Sequence, residues 1–154
     1  MGIADLLTLE RVVGDASVTS KKRALELLSS LLADVEPELS ESEIFNGLIA
    51  RERLGSTGLG HGVAIPHGRF KHLTSAYGAV IKLNQGVDFD AVDGEPVSLV
   101  FALMVPEAST EEHLALLASL AELFRDEEMR EKLFQAPSTE ALMQLFQGEH
   151  GSAA

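Results

Sequence analysis

The segment at residues 97–105, Val-Ser-Leu-Val-Phe-Ala-Leu-Met-Val, is apolar at nearly every position. A strand with one wet face alternates apolar and polar residues, so a run without alternation predicts a strand buried on both faces. Such a strand needs a sheet around it and cover above and below. A second short apolar run at 76–83 predicts a neighbouring strand, and Asp93-Gly94, between Val87-Asp-Phe89 and Val97, predicts a hairpin turn. Helices supply the cover. Apolar residues at 24, 27, 28, 31 and 32 follow one face of an amphipathic helix over 20–33. Ser40 with Glu43 is a capping-box pattern, and Ile44, Phe45, Leu48 and Ile49 then form a buried stripe that ends near Arg51. After Pro106 the pattern returns to helix at about 110–124, 127–134 and 139–146. The order predicts an α/β (α+β) sandwich, a mixed central sheet flanked by helices on both faces. One domain over residues 1–146 accounts for the length, with 147–154 expected to be a flexible tail.

Composition narrows the partners. The net charge of −12 argues against a nucleic-acid partner and an anionic membrane surface, because phosphate binding needs clustered Lys and Arg. No apolar run approaches the roughly 20 residues needed to cross a bilayer. The chain has no cysteine, which excludes disulfides and thiolate chemistry, and its first residues carry no basic targeting region. A cytoplasmic location is expected.

Residues 55–69, Gly-Ser-Thr-Gly-Leu-Gly-His-Gly-Val-Ala-Ile-Pro-His-Gly-Arg, gather five of the chain's thirteen glycines near His67. Pro66 fixes its own φ and biases Ile65 towards an extended backbone, while glycine allows close approach of another molecule. The segment therefore predicts a rigid, bare platform that presents an imidazole. A neutral imidazole is a nucleophile near pH 7 that needs no separate base.

Several other uses of these residues compete with that one. A glycine-rich run is commonly only a loop. Residues 55–66 contain no lysine and do not form a P-loop, and Val63 stands where a dinucleotide fingerprint needs its third glycine. Gly55-Ser-Thr-Gly58 resembles the Gly-x-x-Gly loop of an RNA-binding KH module, which the −12 charge disfavours. Zinc could be imagined among His61, His67, His72, His113 and His150, but no His-Glu-x-x-His spacing supports a metal site, and none is expected. His72 and His150 read as solvated. His113 shares a helical stripe with Leu116, Leu117, Leu120 and Phe124, so it is either a buried core histidine or, behind Ser109 and Thr110 at a helix N-terminus, part of an anion site. Arg51 and Arg53 read either as solvated helix-end charges or, for Arg51, as a cation that reaches back over the His67 platform.

The run Arg51-Glu-Arg-Leu-Gly-Ser-Thr-Gly-Leu-Gly-His-Gly-Val-Ala-Ile-Pro-His67-Gly closely resembles the enzyme IIA proteins of the bacterial phosphotransferase system, fructose and mannitol class. So do the segment from Phe89 to Glu107 and the His113-Leu-Ala-Leu-Leu-Ala helix. The Gly-Ser-Thr-Gly, Ala-Ile-Pro-His-Gly and Phe-Asp-Ala-Val-Asp wording looks most like the nitrogen-related branch. The resemblance implies a five-stranded mixed sheet. It also implies phosphorylation of His67 on Nε2 by a small histidine phosphocarrier protein, itself charged by an enzyme I that uses phosphoenolpyruvate. Arg51 would steady the phosphoryl group, and His113 would lie beside His67 and hydrogen-bond to it. No cofactor is implied. The output would be regulation of target proteins by phosphorylation state. Two alternatives stay open: a sugar-specific component that passes phosphate to a fructose- or mannitol-type transporter, and a binding module whose histidine is not phosphorylated.

Overall fold

The computed structural model describes residues 2–108 and 110–151. Two 3-10 turns, Ile3–Leu6 and Leu9–Arg11, lead into β1 (Val12–Ala16), α1 (Lys21–Leu32) and α2 (Glu41–Leu54). Then come β2 (Gly58–Gly60), β3 (Val63–Ala64), β4 (His67–Phe70), β5 (Tyr77–Val87), β6 (Val97–Pro106), α3 (Thr110–Arg125), α4 (Glu127–Gln135) and α5 (Thr139–Gly151). The local signals operate as written in the sequence. Ser20 accepts a hydrogen bond from the Arg23 amide at the start of α1, and Ser40 and Glu43 close a reciprocal capping box at the start of α2.

The strand order is β1-β5-β6-β3-β2, with β4 also paired to β6. β3 and β4 both run parallel to β6, at Val63↔Leu99 and His67↔Leu103, so they occupy one lane interrupted at Ile65-Pro66. The six strand segments therefore fill five lanes of a mixed sheet. β5 and β6 are antiparallel, and their connection carries the turn expected at Asp93-Gly94: Gly94 has φ +72° and donates to the Ala91 carbonyl at 2.9 Å.

β6 is the central lane, and its lack of alternation has the physical cause anticipated for it. Leu99, Phe101, Leu103 and Val105 pack into one core with α3, α4 and α5; Val100, Ala102 and Met104 pack into another with α1 and α2. Phe101, Phe124 and Phe146 meet edge to face in the first core, with ring centroids 5.5–6.4 Å apart. Lys82 reaches across from β5 and donates to the carbonyls of Leu133, Phe134 and Ala136, finishing the C-terminal end of α4.

Three boundaries differ from the sequence expectation. β5 continues past residue 83 to Val87, α2 continues through Arg51 to Leu54, and α5 continues past residue 146 to Gly151. In α2, the Arg-Glu-Arg-Leu run contains no helix breaker before Gly55, so the backbone ladder simply propagates to it. In α5 the helix likewise runs on where the apolar stripe has ended, and the rest of the expected tail, 152–154, lies outside the described residues.

Candidate functional site

His67 opens β4, directly after the Ile65-Pro66 interruption, and is 8% exposed. Its Nδ1 lies 2.8 Å from the Ile65 carbonyl oxygen. A carbonyl can only accept, so Nδ1 carries the proton and the neutral ring has its lone pair on Nε2. Pro66 thus has a chemical consequence beyond stiffness: it sets the turn in which residue 65 fixes the tautomer of residue 67. Burial is the main influence that holds this imidazole below its ordinary titration range. The Arg51 charge acts in the same direction, against the Ile65 hydrogen bond and the Glu52 carboxylate.

His113 comes to this ring from α3, with ring centroids 5.2 Å apart and planes inclined by 63°. Its Nε2 is buried and has no hydrogen-bond partner among the described residues. Burial, then the charges of His67, Arg69 and Arg51, keep it too below the usual imidazole range. Among the described residues no hydrogen bond joins the two rings. The contact between the two residues is an edge-to-face packing of the rings. Ser109, expected beside His113 at the helix start, lies outside the described residues.

A cleft of about 800 Å³ opens over the pair, lined by Arg51, Leu54, His67, Gly68, Arg69, Glu107 and His113 among others. Arg51 Nη1 donates to the Gly55 carbonyl at 2.7 Å, which ties the guanidinium to the end of its own helix. Gly47 lets α2 lie close to β4, since a Cβ there would overlap the Phe70 ring.

Beside Arg51, the Glu52 side chain turns the opposite way and is buried. Lys21 Nζ lies 2.8 Å from its Oε1; the Thr57 amide donates to the same oxygen at 3.2 Å, and the Thr57 hydroxyl donates to Oε2. Lys21 Nζ also lies 5.0 Å from the Phe89 ring centroid, and Ser56 donates to the Phe89 carbonyl at 2.6 Å. These bonds join α1, α2, the start of β2 and the loop after β5. They hold the turn that carries Arg51.

The structure brings His67, His113 and Arg51 to one cleft and leaves the other candidates elsewhere. His61 is exposed, at φ +57°, with its amide on Asp93; His72 is exposed and pairs with Glu38. The side chain of His150 lies outside the described residues. Among the described residues no group of three or more His, Cys, Asp or Glu is arranged to hold a metal ion, and no helix is long and apolar enough to cross a membrane. Arg69 and Glu107 also line the cleft, and sequence reasoning assigned them no role. A signal existed for Arg69: two residues on from His67 in a strand is the same side of the sheet.

Residues 5–149 match the family described as "Phosphoenolpyruvate-dependent sugar phosphotransferase system, EIIA 2". A nitrogen regulatory protein of Pseudomonas aeruginosa is 47% identical over 143 residues, covering 93% of each chain. A fructose-specific EIIA component of Haloferax volcanii is 32% identical over 145 residues, covering 92% of this chain and 94% of that one. The crystal structure of nitrogen regulatory protein IIA-Ntr from Neisseria meningitidis superposes with a TM-score of 0.89 at 46% identity, covering 94% of this chain and 98% of that one.

Proposed function

The chain belongs to the EIIA 2 family of the phosphoenolpyruvate-dependent sugar phosphotransferase system, and on that premise we propose that it is a histidine phosphocarrier whose phosphorylation state regulates target proteins. In this reading one domain, residues 1–146, accepts a phosphoryl group on His67 from a small histidine phosphocarrier protein. The observation that carries it is the His67 tautomer. With Nδ1 hydrogen-bonded to Ile65, the only lone pair of the ring is on Nε2, and the cleft beside it also holds Arg51 and His113.

Transfer between two histidines needs in-line positioning and charge stabilisation more than general-base assistance. The Nε2 lone pair attacks phosphorus as the bond to the donor ring breaks. A donor ring protonated on its other nitrogen leaves as neutral imidazole, and the His67 ring keeps its proton on Nδ1, donated to the Ile65 carbonyl throughout. Arg51 offsets part of the phosphoryl charge, which approaches −2. His113 orients the His67 ring, and its buried Nε2, which has no partner among the described residues, would meet the phosphoryl oxygens once the group enters.

The regulatory branch is favoured by the 47% identity to the Pseudomonas protein. Incubation with labelled phosphoenolpyruvate, enzyme I and the carrier protein tests the core of the proposal. Acid-labile label on the wild type and none on His67→Ala is the expected result; no label on the wild type, or persistent label on the variant, rejects it. The sugar-specific reading keeps a specific foothold in the 32% identity to the fructose component. Transfer onward from the labelled protein to a fructose-type IIB acceptor would select that reading over the regulatory one.

A further inference from the structure

The cleft contains a second guanidinium that the reading above leaves without a task. Arg69 follows His67 by two positions on β4, pairing with Val105 where His67 pairs with Leu103, so the strand's alternation sends both side chains to the same side. That side is covered by α3, the helix that carries His113. Arg51 approaches from α2. The two arginines therefore line one cleft from different elements, with the histidine pair between those elements.

Their electrostatic reach differs. The Arg51 charge acts on both imidazoles, whereas Arg69 is among the charges acting on His113. In a chain of net charge −12, with the Glu107 carboxylate in the same cleft, a single cation faces an opposing field. A transferring phosphoryl group spreads its charge over three equatorial oxygens, which one guanidinium cannot cover. A planar fork on each side can.

We propose that Arg69 is a second phosphoryl-binding residue, which contacts the group on the His113 side while it passes to His67 Nε2. The inference rests on His67 being the acceptor. Arg51 and Arg69 then hold different oxygens of one group, and no proton or electron is exchanged through either.

Phosphoramidate, a small phosphodonor, separates contact with the phosphoryl group from docking of a protein donor. Label uptake by His67 from phosphoramidate is expected to be about tenfold slower in Arg69→Gln, with Arg69→Lys intermediate, because lysine keeps the charge but loses the fork. The phosphoprotein of Arg69→Gln should also hydrolyse at a changed rate. Wild-type uptake from phosphoramidate by Arg69→Gln overturns the inference. So does a defect confined to the KM for the protein donor, which makes Arg69 a docking residue. Failure of the wild type to take label from either donor rejects the acceptor role of His67 instead. Circular dichroism and a thermal melt on each variant identify any loss that comes from unfolding. Should Arg69→Gln fail to fold, the Arg69→Lys rate decides: a value equal to wild type overturns the inference.

Discussion

Consecutive residues in the last turn of α2 serve two polar clusters that are finished in opposite ways. Glu52 enters a closed network in which both carboxylate oxygens are hydrogen-bonded or paired, by Lys21 and Thr57. Arg51 faces a cleft where the His113 Nε2 is buried with no partner among the described residues and the His67 Nε2 keeps its lone pair. A buried polar atom without a partner costs about 1–3 kcal/mol, so folds normally eliminate it. In the proposed function, its persistence beside His67 marks where an incoming group is met, and the Glu52 network marks where the molecule is arranged for rigidity.

Changes to each cluster should therefore separate function from stability. The largest effect is expected from His67→Ala: no phosphoryl uptake, with folding intact by circular dichroism. Equal label on that variant would remove the distinction altogether. Glu52→Ala should do the reverse. It leaves the buried Thr57 amide and hydroxyl without their carboxylate and removes the nearest counter-charge of Lys21, and a loss of about 3 kcal/mol in urea unfolding is expected, while labelled protein still carries its phosphate on His67. An unchanged unfolding free energy would show that the closed network contributes nothing.

Arg51→Gln is expected to slow uptake by about tenfold or more, without the stability loss of Glu52→Ala although the two residues are adjacent. His113→Leu sharpens the contrast further. It removes the unpaired nitrogen, so stability should hold or rise by about 1 kcal/mol while transfer slows and the label stays on His67. Loss of stability on that substitution would place His113 with the structural cluster.

The smallest expected effect is on pH dependence. Both histidines titrate lower in the folded protein than in the unfolded chain, mainly through burial. The unfolded state then binds more protons in the window just below the ordinary imidazole value of about 6.5, so these groups make stability rise with pH through that window and fall as pH drops. Replacing both, as His67→Gln with His113→Leu, should flatten that part of the curve relative to wild type. The acid limb of phosphoryl uptake should likewise lie below pH 6.5, because the ring stays neutral there. A midpoint at or above the ordinary value would contradict the burial argument.

Much of the fold was legible because its rules are local. Ser20, Ser40 and Glu43 announce helix starts through bonds made within three residues, and the unbroken apolar run of β6 announces two covered faces. The interrupted lane was not legible: β3 and β4 share one neighbour, yet only pairing with β6 reveals them as a single lane. Within the candidate site, Pro66 and its glycines pointed to His67. Nothing local separated a core histidine from a site histidine at residue 113; the resemblance placed it beside His67, and the fold brings the two ring centroids to 5.2 Å. Arg69 was passed over because strand alternation is informative only once β4 is recognised as a strand, and its four residues are too few to display a period.

By itself the sequence determined the helices, the doubly covered central strand and the glycine- and proline-rich segment that carries His67. Each depends on covalent neighbours and on the intrinsic geometry of Gly, Pro and Ser. The sequence did not show that His67 and residues 63–66 are buried. Tertiary structure alone decided which nitrogen of His67 is free to act, that Glu52 turns inward while Arg51 faces the cleft, and that side chains from α2, β4 and α3 surround one space. Those outcomes depend on which residues become neighbours when the two cores close on the sheet, and distance along the chain carries no record of that.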